Sequence, residues 1–96
     1  MIIGIVGSRS INDYSLVSSV LDNIDIQELY IGNKTGIDNV VSKYAINKNI
    51  KCTILNADDI LTNSDHIIAF WDGISKGTKH LIKKCQKLHK MVTIVT

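Results

Sequence analysis

No proline, internal repeat or low-complexity segment interrupts this 96-residue chain, so it reads as one small domain without a linker. Its two cysteines, Cys52 and Cys85, stand far apart and form no C-x-x-C pair. Met1 leads directly into a strand-like run, not a secretory leader, and the expectation is a reducing, cytoplasmic location. No apolar run approaches the roughly 20 residues that span a bilayer, which points to a soluble protein. His66, His80 and His89 lack metal-ligand spacing and have no cysteine or carboxylate beside them that makes a catalytic pair, so neither a metal nor a cofactor is expected. The net charge of +2 is too small to imply nucleic-acid binding, and Lys83, Lys84, Lys87 and Lys90 read as the solvated face of one helix. What the chain does have is 45% hydrophobic residues, ample for a packed core, and an excess of isoleucine, asparagine and lysine that points to an AT-rich genome.

Hydrophobic patterning alternates between two periods. Ile2 to Val6 is a continuous apolar run, the mark of a strand covered on both faces. After a cap at Asn12 or Asp13, Leu16, Val17, Val20, Leu21 and Ile24 recur at helical spacing. Residues 28–31 predict a second strand, and Ile37, Val40, Val41, Tyr44 and Ala45 the helix after it. Residues 51–55 predict a third strand, followed by a short helix through Leu61 with Asn56 as N-cap and Asp59 as its partner. His66 to Trp71, Lys76 to His89 and Met91 to Val95 complete the series as strand, helix and strand. This alternation predicts a three-layer Rossmann-like α/β sandwich with a five-stranded, mainly parallel sheet.

In such a sheet the loops that follow the strands share one edge, and ligands bind where the strand order reverses. Three glycine-bearing turns meet this description: Gly7-Ser8-Arg9, Gly32 to Asp38, and Asp72 to Thr78. The last joins an apolar strand to a helix, where unpaired amides and the helix dipole suit an anion, phosphate above all. Gly73 and Gly77 permit close backbone approach, Ser75 and Thr78 offer hydroxyls, and Lys76 adds charge. Arg9, the one arginine beside ten lysines, can grip a phosphate or carboxylate with two donors. Asp38 is placed to accept from a ribose hydroxyl or simply to complement its helix dipole. Asp72 has similar alternatives, ribose contact or closure of its turn. Trp71 stacks on a base or packs in the core.

The succession Ile5-Val6-Gly7-Ser8-Arg9, Gly32 to Asp38 with Tyr44-Ala45, and Ala69-Phe70-Trp71-Asp72-Gly73 with Ser75-Lys76-Gly77-Thr78-Lys79-His80 resembles the SLOG superfamily. That superfamily groups the SMF/DprA proteins with the LOG enzymes, and the likeness is greatest to small stand-alone bacterial and phage members. The resemblance implies a Rossmann-like sheet, often oligomeric, that binds nucleotides or nucleotide-derived signals over its glycine loops. It also implies where the chemistry departs. Asn33, Lys34 and Thr35 replace the small residues usual in the second turn, and the segment between Leu55 and His66 is short and holds no arginine. The position of the LOG glutamate is Leu81, which handles no proton.

The leading expectation is therefore non-catalytic binding of a nucleotide or nucleotide-derived messenger, ADP-ribose-like or cyclic, by a sensor or by a phage sponge that sequesters an immune signal. The expected ligand residues are Gly7, Ser8, Arg9, Gly32, Lys34, Thr35, Gly36, Asp38, Trp71, Asp72, Gly73, Ser75, Lys76, Gly77 and Thr78. One alternative is a nucleotide hydrolase using Asp38 or Asp72. Another is a single-stranded DNA module using the lysine-rich last helix, which no row of aromatics accompanies. A homo-oligomer is expected, with the ligand close to its interface.

Overall fold

Six residues, Ile2–Gly7, form β1, and their apolar run is covered on both faces as expected. The computed structural model describes residues 1–33 and 36–96, so the expected ligand residues Lys34 and Thr35 lie outside the described residues. The remaining elements are α1 (Tyr14–Leu21), β2 (Glu28–Ile31), α2 (Ile37–Lys48), β3 (Lys51–Ile54), α3 (Ala57–Asn63), β4 (His66–Phe70), α4 (Lys76–Lys87) and β5 (Val92–Val95). The strand order is β3-β2-β1-β4-β5 and every pairing is parallel, so the chain is a three-layer Rossmann-like α/β sandwich whose sheet is parallel throughout. The order reverses at β1: β2 and β3 lie to one side, β4 and β5 to the other.

Two apolar layers hold the helices to the sheet. On one face, Val17 and Leu21 of α1 and Ile37, Val40, Val41, Tyr44 and Ala45 of α2 pack on Ile3, Ile5, Leu29, Ile31, Ile68 and Phe70. On the other, Ile60 and Leu61 of α3 and Ile82 and Cys85 of α4 pack on Val6, Ile67 and Ala69. Each fully buried large side chain contributes about 1.5–3 kcal/mol over its exposed state.

The caps follow the sequence closely. Asp13 accepts from the Leu16 amide at 3.2 Å and Asn56 from the Asp59 amide at 2.9 Å, each worth about 1 kcal/mol. α1 stops at Leu21, so Ile24 lies beyond it yet still packs on the first layer. α4 ends at Lys87, short of the expected His89, because His89 adopts a left-handed φ of 53° and the Lys90 amide turns back to the Cys85 carbonyl at 2.9 Å. α2 ends the same way, with Asn49 at φ 56° and the Ile50 amide on the Ala45 carbonyl at 2.8 Å.

The second face is covered unevenly. The seven-residue α3 lies over β1, so on this face β2 and β3 add only the half-buried Tyr30 to the second layer and otherwise carry polar residues. There the Thr53 hydroxyl donates to Glu28 at 2.6 Å, and Lys51 approaches the same carboxylate at 3.8 Å. Gly4 fixes how closely α3 approaches β1. A Cβ there would press on Ser64 Oγ and meet Ile67 Cδ1 at 2.7 Å and Ile60 Cγ2 at 2.8 Å. Gly4→Ala is therefore expected to destabilise by about 1–3 kcal/mol and lower Tm by roughly 5–20 °C. Gly77→Ala, whose Cβ meets nothing within 4 Å, leaves Tm unchanged or raises it. Thermal melts followed by circular dichroism check both, and equal Tm values would contradict the packing described.

Candidate functional site

The carboxyl ends of β1 and β4 are tied together beyond the sheet. The Ser8 amide donates to the Phe70 carbonyl at 2.9 Å, and the Asp72 amide donates to Ser8 Oγ at 3.1 Å. Ser8 Oγ lies 3.4 Å from Thr78 Oγ1, and both residues are buried. The Asp72 carboxylate accepts from the amides of Ile74 (2.8 Å) and Ser75 (2.7 Å) and from the Ser10 hydroxyl (2.7 Å). The Ser75 amide, then the Ser10 hydroxyl and the Ile74 amide, pull the Asp72 pKa down to about 2. Ser75 in turn caps α4, its hydroxyl accepting from the Thr78 amide at 3.4 Å, while the half-buried Trp71 donates from Nε1 to the Ser75 carbonyl at 3.0 Å. Two amides that a phosphate could have used are thus occupied by the chain's own carboxylate. Asp72 closes its turn, and Gly73, at φ 83°, supplies the left-handed residue that the turn requires.

The cleft lies beside this seam, not in it. β1 pairs with β4 up to Gly7↔Phe70, whereas its register with β2 ends at Gly4↔Tyr30. A cleft of about 570 Å³ opens there, between α3 and α4, over the ends of β1, β2 and β3. Val6, Leu55, Ile60 and Leu81 form apolar walls, and Asn33, Asp38 and Asn56 bring polar groups. Asp38, 8% exposed, sits in the first turn of α2 with its carboxylate over Gly32, where a Cβ would come within 3.1 Å of Oδ2. Burial first, and then the charges of Asp38 and Glu28, push the Cys52 thiol up; burial does the same for Cys85, so neither thiol is activated as a nucleophile.

Twelve of the expected ligand residues fall into three groups. Gly7, Gly32 and Asp38 line the cleft. Ser8, Trp71, Asp72, Ser75 and Thr78 form the hydrogen-bonded seam. Arg9, Gly73, Lys76 and Gly77 are exposed at the rim. Gly36, at φ 77°, packs against the Arg9 backbone, where a Cβ would meet Arg9 Cα at 2.7 Å, so the first two loops touch. Asn33, inside the expected Gly32 to Asp38 turn, and Asn56, expected as a cap, were not among the expected ligand residues, yet both line the cleft. Among the described residues, no group of histidine, cysteine and acidic side chains is placed to hold a metal, and no helix is long and apolar enough to cross a membrane. Compared with protein-family models, curated proteins and solved structures, the chain matches none.

The depressed pKa of Asp72 has a pH signature. Its folded value of about 2 lies below the ordinary 3.8, so its stabilisation is present above the ordinary value and is lost as pH falls toward the folded one. The Tm difference between the native chain and Asp72→Asn is expected to be constant at neutral pH and to close across that interval. A difference that persists at the acid end would contradict the assignment.

Proposed function

We propose that this chain binds a nucleotide or nucleotide-derived small molecule in the cleft beside the β1–β4 seam, without transforming it. The carrying observation is one cleft of ligand size with apolar walls and a buried carboxylate at its polar end. A base fits between Leu55, Ile60 and Leu81, with Asn33 and Asn56 available to its polar edge. Asp38, which lines the cleft, is the group for a ribose hydroxyl. In this reading the phosphate is assigned to the rim, to Gly7, the exposed Arg9 and Lys76, and the first-turn amides of α4.

Leu81 favours binding over hydrolysis. It stands in the cleft wall at the position that the SLOG resemblance assigns to an acid, and the described cleft residues offer one carboxylate, not two. The biological role that goes with this reading is a cytoplasmic sensor, or a phage sponge that withdraws an immune messenger such as an ADP-ribose-like or cyclic nucleotide.

A thermal-shift panel of ADP-ribose, its cyclic isomers, cyclic dinucleotides and nucleoside monophosphates tests the proposal, with recovered ligand analysed by mass spectrometry. At least one compound is expected to raise Tm and to be recovered intact. Arg9→Ala is expected to weaken it roughly ten- to hundredfold, the worth of a charge-assisted hydrogen bond, and Leu81→Trp to abolish binding by filling the cleft. Silence across the panel, or an affinity indifferent to both variants, would overturn the site. Recovery of a cleaved product would replace the binder with an enzyme.

A further inference from the structure

Among the described residues, β5 is an edge strand with no strand paired on its outer side. The Met91 carbonyl accepts from Ile67 N at 2.9 Å and the Val95 carbonyl from Trp71 N at 2.8 Å, so residues 91, 93 and 95 turn their main chain toward β4. By the alternation of a parallel ladder, Val92 and Ile94 turn their amides and carbonyls outward, four strong groups on the open side. Residues 91–96, Met-Val-Thr-Ile-Val-Thr, contain no charge, proline or glycine, the devices that normally blunt an edge. The neighbouring Lys90 does not guard the edge: its ammonium is drawn to the carbonyls of Ser64 (2.7 Å) and Thr62 (3.4 Å) at the end of α3. The opposite edge strand, β3, by contrast begins with the exposed Lys51.

We infer that β5 pairs antiparallel with β5 of a second copy, joining the two sheets into one of ten strands. The open side is complementary to itself in one register. With the two-fold axis at Thr93, Val92 and Ile94 of one chain face Ile94 and Val92 of the other, and each of these pairs exchanges two main-chain hydrogen bonds. Their side chains lie on the α4 face, where Ile94 is 42% exposed, and Met91, 63% exposed, comes opposite Val95 of the second copy. Thr93 meets its own mate on the other face, a favourable cross-strand pair. A different extended peptide would satisfy the main chain, while a second copy also sets Val92 against Ile94 twice in one symmetric register.

The same geometry sets how strong the pairing is. Leu81 lines the cleft and Lys84 pairs with Asp58 of α3, so the helical period places Lys79 and Lys83 on the opposite flank of α4, above the β5 edge. Pairing brings these like charges together across the axis, which opposes association and is relieved by screening. One four-residue strand and one helix flank also bury less than the roughly 800 Å² per partner of standard stable complexes. The result is a monomer–dimer equilibrium that salt shifts toward the dimer, the reverse of the salt response of polyanion binding. β5 contributes nothing to the cleft, so the interface is separate from the proposed ligand site and this inference does not rest on it.

Sedimentation velocity over a concentration series, in low and in high salt, reads the equilibrium. A shift toward twice the monomer mass with concentration, stronger in high salt, is expected. Ile94→Lys places a charge on the edge, and Ile94→Pro removes an outward amide while sparing the ladder to β4; each is expected to leave a folded monomer, whereas Ile54→Lys on the opposite edge leaves the dimer intact. Without any variant, hydrogen exchange at the Val92 and Ile94 amides is expected to slow as concentration rises. A monomer under all conditions, a dimer indifferent to both Ile94 variants, or one lost on Ile54→Lys would overturn the proposal.

Discussion

The parallel pairing of β1 with β4 is the constraint on which the rest of the molecule depends. Five of the twelve largest fully buried side chains, Ile3, Ile5, Ile67, Ile68 and Phe70, lie on these two strands, which meet where the strand order reverses. Their contact continues past the last ladder residue through Ser8, which bonds the β4 loop from both its amide and its hydroxyl. Two loops more than sixty residues apart in sequence are held in one geometry by groups that belong to the chain itself. The position of α4 follows from this, because Ser8 reaches Thr78 in its first turn.

Tying this seam shut displaces the open space. In a doubly wound sheet the reversal point is the usual crevice, but here the seam is closed by hydrogen bonds, and the cleft forms over β1, β2 and β3 instead. Its cause is the length of α3, which is enough to cover β1 and no more. A longer segment between β3 and β4 would bury the polar surface of Glu28, Lys51 and Thr53 and close the cleft from that side.

Much of this was legible in the sequence for physical reasons. Strand and helix periods differ, so the element order, the caps at Asp13 and Asn56 and the α/β class could all be read. The helix ends were less legible, since Asn49 and His89 take a left-handed conformation that glycine usually marks. The gathering of Gly7, Gly32 and Asp38 follows from topology alone. The commitment of Asp72 to its own loop, and the opening of the cleft one strand away from the reversal point, depend on distances that no residue pattern encodes. Ser10 gave no signal of its own, because its role exists only when the β4 loop is folded against it.

The self-occupied loop also shapes how fast a ligand could be exchanged. With the amides of Ile74 and Ser75 saturated and α4 already capped by Ser75, this part of the rim has no ordering left to undergo when a small molecule arrives. On the proposed reading, association there would be governed by diffusional encounter and the field of Arg9 and Lys76. Residence time, on the same reading, would then rest on the walls of the cleft, and among related molecules that share a phosphate end discrimination would appear in the rate of departure.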